Sequence, residues 1–357
     1  MVSPIGGRPP GKDDFNDLPR EGRSSDPERD RAALIGDARN DENTIIAQLH
    51  VAFLRAHNEL VEQGQKFGGA SRMLRRHYQH IILHDFLKRI VEPQIVDETI
   101  ERSWVYDPKD QPFMPLEFSV VAYRFGHSMV RAAYNFNLNF NLSGEPDTFP
   151  ATLELLFTFS ALSGQLGDFD TLPDNWIIQW ENLNDAGAPF DRTRRIDTKP
   201  VEPLFQLTDL RGRPRQGDRA RLAVRNLLRG YLLRLPTGQA VARALQRRLS
   251  GVRDISVLGP SRIRRGAASE EQAQVLEDAG FLDRTPLWYY ILAEAAVLGN
   301  GRRLGPVGGT IVAEVLVGLV RRSQSSILRA ENWEPTLPGA DEGTFTLADL
   351  LRFAGVL

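Results

Sequence analysis

The chain has 357 residues, 41% of them hydrophobic and 25% charged, which is ample material for one large domain or two ordinary ones. Its formal net charge of −2 argues against a general nucleic-acid footprint. It contains no cysteine, which excludes disulfides, thiolate catalysis, zinc–thiolate sites and any cysteine-bound metal cofactor. No apolar run approaches the roughly 20 residues that span a bilayer, and the N-terminus has no apolar stretch of the signal-peptide kind. The compartment is therefore left open.

Residues 1–33 are rich in Gly, Pro, Asp, Arg and Ser without periodicity, which reads as a flexible arm ahead of a folded body at 34–357. From there the pattern is helical. Asp41 or Asn43 is placed to cap a helix running to about residue 62, with Ile45, Leu49, Ala52, Phe53, Ala56 and Leu60 as its apolar stripe and Gly64 as its stop. Arg39 and Glu42 lie on the turn before it and could be aimed at one point, though a local ion pair or cap explains them as well. A second helix is expected over 70–90. It carries His80 and His84, four apart on one face, but HIILH lacks the glutamate of a zinc-protease motif, so an ordinary helix surface is the plainer reading. Residues 92–115 read as a connection.

The stretch 113–136 holds the residue of most interest. Phe118, Val121, Ala122, Phe125 and Met129 recur at spacings of three and four, which predicts a buried helix over 116–129 with Pro115 in its first turn. That helix carries His127, directly after Gly126. A neutral imidazole beside a bare backbone could meet a flat group such as an iron porphyrin. A core histidine with one satisfied hydrogen bond is the plain alternative.

Residues 135–149 alternate as a short strand or extended segment, and Asn141-Leu142-Ser143 matches a glycosylation acceptor with nothing else to mark a secreted chain. Trp176 and Trp180 suit a core. Residues 218–249 form two helical pieces split at Leu235-Pro236-Thr237-Gly238, and the first sets Asn226 among leucines, where its amide must find a partner. Arg229 lies one turn on, as a basic amphipathic helix would also place it. Gly308 and Gly309 make no dinucleotide-binding turn and more plausibly let one helix start close against another. A short helix is expected over 345–353. Few segments look strand-like, so the class is mainly α.

Four stretches together resemble the animal-type haem peroxidase superfamily, particularly its bacterial members. They are LIGDARNDENTIIAQLHVAFLRAHNELV, FMPLEFSVVAYRFGHSMVRAAYNF, LAVRNLLRGYLLRLPTGQAVARAL, and PLWYYILAEA with RRLGPVGGTIVAEVL. The resemblance runs from about Leu34 to the end and implies a single large helical domain holding haem b. It implies His127 as the proximal iron ligand and Asn226 as the acceptor of the hydrogen bond from its other ring nitrogen. Arg39 would be the distal arginine, stabilising the hydroxide that leaves as the peroxide bond breaks. Glu42 aligns with a glutamate that in some relatives forms an ester to the haem, and Arg124 and Arg229 with arginines near the haem propionates. The partners implied are hydrogen peroxide and a small reducing substrate.

The family places its distal histidine upstream of the arginine, in the segment of a calcium-binding loop, whereas the first histidine here is His50. The resemblance thus implies a chain without the distal base or the calcium site, either a piece of a longer protein or a lineage that lost them, with impaired activity. A fatty-acid oxygenase of the same superfamily is the weaker alternative, because Arg124 stands where those relatives carry their radical tyrosine. A haem-binding or structural helical protein without turnover is the other.

Overall fold

The computed structural model describes residues 16–108, 111–186, 190–207, 215–339 and 341–357. Helices dominate, as the periodicity implies, and the one described sheet is a two-stranded antiparallel pair, β1 Ala133–Tyr134 and β2 Ala151–Thr152, with Ala133 opposite Thr152. The expected strand over 135–149 is the loop these strands clamp, closed by a bridge between Phe140 and Phe149.

Helix α1 (Thr44–Glu62) starts where Asn43 caps it, the amide oxygen accepting the N–H of Ile45 at 2.9 Å. Gly64, at φ +95°, turns the chain beyond its end in a conformation that favours glycine. Asp41 has another task. It is buried and pairs with Arg20 at 2.6 Å, and Arg20 also binds Asp17. Leu18 is buried against Ala47 and Val51, and the buried Arg31 donates to the Phe169 carbonyl. Leu18, Arg20 and Arg31 thus anchor residues 16–33 on the body, contrary to the expectation of a loose arm, while 22–29 between them are exposed. Several of their charges are paired, with one another or with Asp41 and Asp170 of the body, which composition cannot reveal. Residues 1–15 of that expected arm lie outside the described residues.

The helix expected over 70–90 is a composite of α2 (Phe67–His80), a π-helix (Ile81–Phe86) and α3 (Leu87–Ile90). The supposed connection that follows contains α4 (Pro93–Glu101), begun by Pro93 and buried through Ile95, Val96 and Thr99. After β2 come the short α5 (Leu153–Thr158) and α6 (Ala161–Gly164), then loops in which Trp176 and Trp180 are both buried. Helices α7 (Leu222–Leu232) and α8 (Gly238–Arg248) divide as expected, with Thr237 capping the second.

After α9 (Pro260–Arg265) and α10 (Glu270–Asp278), the core is built on α11 (Leu287–Gly299) and α12 (Pro306–Arg322). Their close start depends on glycine, since a Cβ at Gly308 would lie 2.7 Å from Ile291 Cγ2. The buried Glu294 carboxyl accepts the N–H groups of Val307 and Gly308, satisfying two of the donors that a helix N-terminus leaves free. Around α11 and α12 gather Phe118, Val121 and Phe125, while a second cluster joins α1, α2, Trp176 and the last helix, α13 (Leu347–Phe353). Among the described residues no helix is long and apolar enough to cross a membrane.

Candidate active site

The segment carrying His127 is not the continuous α-helix that its spacing predicts. A π-helix over Glu117–Val121 gives way at Val121 (φ −130°, ψ −73°) to a 3-10 helix over Ala122–Ser128. A 3-10 helix repeats every three residues, so residues three apart stack on one face. Ala122, Phe125 and Ser128 therefore form one buried line, and Arg124 and His127 form the next. The indole N–H of the buried Trp288 pins this turn by donating to the Arg124 carbonyl at 3.2 Å.

Opposite that second line stands Asn226 of α7, 1% exposed. Its Nδ2 lies 2.9 Å from His127 Nδ1, and its Oδ1 lies 3.4 Å from Arg124 Nη1. Arg124 is steadied further by donating from Nε to the Ser119 carbonyl. Burial, and then the charges of Arg124 and Arg225, push the His127 pKa down to about 4, so the imidazole is neutral at ordinary pH.

A cavity of about 440 Å³ opens beside this group, within the range of small-molecule sites. Arg124, Arg225, Asn226 and Arg229 line it together with leucines of α7, among them Leu228 and Leu232, which are largely solvent-exposed. Sequence reasoning missed Arg225 and Trp288. The signal for Arg225 was present, since it lies four residues before Arg229 on the same helix face.

Arg39 and Glu42 are placed differently. A 3-10 helix over Ala38–Asp41 follows Asp37, whose carboxylate accepts from the Arg39 backbone N–H at 3.0 Å and from its guanidinium at 2.9 Å. The Arg39 guanidinium, 81% exposed, holds the Asp37 pKa down to about 2. Glu42 is exposed as well, and its carbonyl accepts from Ser160 Oγ. Among the described residues, the bonds of this pair run to Asp37 and Ser160 and none joins it to His127. Of the six residues singled out by sequence, His127, Asn226, Arg124 and Arg229 share one site, and Arg39 and Glu42 form a separate surface pair.

The histidines before His127 have other surroundings. His77 is an ordinary core histidine: Nε2 accepts the N–H groups of Thr336 and Leu337, which leaves Nδ1 to donate to the Met73 carbonyl. His50 bonds to Asn40, and His57 lies near the Phe67 carbonyl.

Residues 9–172, a little under half of the chain, match the family model for the animal haem peroxidase, which supports membership of the animal-type haem peroxidase superfamily. Among curated proteins it is similar to a peroxidase-like protein of Margaritifera margaritifera, 35% identical over 126 residues, or 30% of this chain and 16% of that protein. It is also similar to the chorion peroxidase of Aedes aegypti, 26% identical over 117 residues, 28% of this chain and 15% of that one. A third relative is the thyroid peroxidase of Canis lupus familiaris, 28% identical over 107 residues, 27% of this chain and 11% of that one. The chain thus covers only a small part of the length of these relatives.

The family match implies a haem cofactor, and the surroundings of His127 offer room and positive charge for one. A Cβ built at Gly126 would have nothing within 4 Å, so the backbone beside His127 leaves open space. The cavity combines apolar side chains with four guanidinium groups and a single carboxylate, Asp218, a balance that suits an apolar disc bearing carboxylates. The Asn226 amide decides which histidine nitrogen is free. With Nδ2 donating to Nδ1, the imidazole proton sits on Nε2; with the amide turned over, Oδ1 accepts from Nδ1–H and the Nε2 lone pair is available to a metal. Turning it over exchanges the long Arg124 contact for two facing donors, amide Nδ2 and guanidinium Nη1.

Proposed function

We propose that this chain is a haem-dependent peroxidase domain, reducing hydrogen peroxide while oxidising a small donor. The observation that carries the reading is the buried Asn226–His127 pair, 2.9 Å apart, beside a cavity edged by Arg124 and Arg229. Bound haem would supply the redox-active iron. His127 would hold that iron through Nε2, and Asn226 would fix the tautomer by accepting from Nδ1–H. Arg124 and Arg229 would take the carboxylates of the cofactor, for which a planar guanidinium is well shaped. Arg39 would leave Asp37 and stabilise the negative charge on the departing oxygen as the peroxide bond breaks. Arginine stays protonated at any usable pH, so Arg39 would supply charge and not a base. The names of the curated relatives point the same way, toward peroxidase chemistry.

The test is haem retention. The chain reconstituted with haem should show a Soret band that His127→Ala abolishes and that His80→Ala and His84→Ala leave intact. An undiminished Soret band in purified His127→Ala would remove the basis of the assignment.

A further inference from the structure

A second group of imidazoles lies where α2 runs into the π-helix. His80 is the last residue of α2, and His84 sits within the following wide turn. Their ring centroids are 4.5 Å apart with planes inclined by 36°. His84 is exposed and His80 half-buried, with the Trp333 ring 5.9 Å from His80. Among the described residues no hydrogen bond engages a nitrogen of either ring, whereas His50, His77 and His127 all use theirs. A histidine is ordinarily neutral at pH 7, so each ring offers a lone pair.

We propose that His80 and His84 chelate one divalent transition-metal ion of the zinc, nickel and copper class, the remaining positions being filled by water. Imidazole nitrogen suits these ions, and carboxylate-preferring ions such as magnesium or calcium would find nothing here. Two nitrogens each about 2.0–2.1 Å from one ion lie about 3 Å apart, a separation open to rings this close. The neighbouring acids are engaged elsewhere: Asp85 accepts from Arg89 and from the Leu347 N–H, and Asp97 pairs with Lys88. Among the described residues no group of three or more metal-ligating side chains gathers, so the site has two protein ligands and is open and exchangeable. Spacing alone made this pair an ordinary helix face; the proximity of the rings and their unengaged nitrogens are what the fold adds. A π-turn widens the helix at this point, a distortion often found at functional sites.

The experiment is a calorimetric titration of the full, tag-free chain with nickel chloride, repeated with zinc, with tryptophan fluorescence followed in parallel. One ion per chain is expected, with quenching by nickel that Trp333→Phe removes without weakening binding. His80→Ala and His84→Ala should each lower the affinity about tenfold or more, as expected when one of two imidazole ligands is lost. His57→Ala should leave it unchanged. Both altered residues reach the helix surface, and unchanged far-ultraviolet circular dichroism separates lost ligation from lost fold. Affinity unchanged in both His80→Ala and His84→Ala, or lost instead in His127→Ala, would overturn the proposal.

Discussion

The neutral state of His127 makes a measurable prediction about acid stability. Its pKa is 6.5 in an exposed setting and about 4 in the fold, where burial, then Arg124 and Arg225, disfavour the charged ring. Between those two values the unfolded chain holds the proton and the folded chain does not. The stabilisation is therefore complete above pH 6.5 and is lost as pH falls toward 4. The whole gap corresponds to roughly 3 kcal/mol, of which roughly 1 kcal/mol is gone by pH 5.5 and roughly 2 kcal/mol by pH 4.5. Other histidines, including His50 and His77, shift in the same direction, so the wild-type curve alone cannot isolate the effect. His127→Gln keeps an amide opposite Asn226 and removes the titration. Urea unfolding of the haem-free protein and this variant at pH 7, 5.5 and 4.5 would give the difference. The variant should lose less stability on acidification, by the amounts above. If the two lose stability in parallel, His127 does not sit neutral and buried against Asn226.

Two further outcomes are expected. Asn226→Asp should lower the reduction potential of the haem-loaded protein, because a carboxylate accepting from Nδ1–H gives the ring imidazolate character and favours ferric iron; spectroelectrochemistry showing the wild-type potential would mean that Asn226 does not act on His127. Burial raises the Glu294 pKa to about 8, so its contribution is complete below pH 4.5 and lost as pH rises through 8; Glu294→Gln should abolish that decline in calorimetric Tm between pH 5 and 8, and an unaltered slope would count against it.

How much of this was legible depended on whether the cause was local. The stripe of α1 and its Asn43 cap could be read because both lie within one helix and its first turn. The break at Val121 could not, since spacings of three and four among Phe118, Val121, Ala122, Phe125 and Met129 suit an α-helix as well as a π-turn followed by a 3-10 turn. Helix α4 was hidden by Pro93, which marks a helix start as readily as a connection. Residues 16–33 misled for the opposite reason. Asp17, Arg20 and Asp41 look like solvent-facing charges, but Arg20 pairs with both carboxylates, reaching Asp41 across 21 positions of sequence, and only the fold brings that pair together.

The same distinction divides the candidate site. His127, Arg124 and Asn226 are held by groups that need no ligand: the turn is pinned by Trp288, and Asn226 is enclosed by its own helix and the 3-10 segment. Their apolar surroundings were visible in the sequence, which is why the polar residues among them stood out. Arg39 has no such frame. Its guanidinium rests on the nearest carboxylate, two residues away, at an exposed turn. Exposed ion pairs of this kind contribute little, because water screens them and two side chains must be ordered to form them. A ligand offering Arg39 a desolvated negative charge would compete easily with Asp37. The backbone that carries Arg39 is already fixed, since Asp41 is buried against Arg20 and Ser160 holds the Glu42 carbonyl.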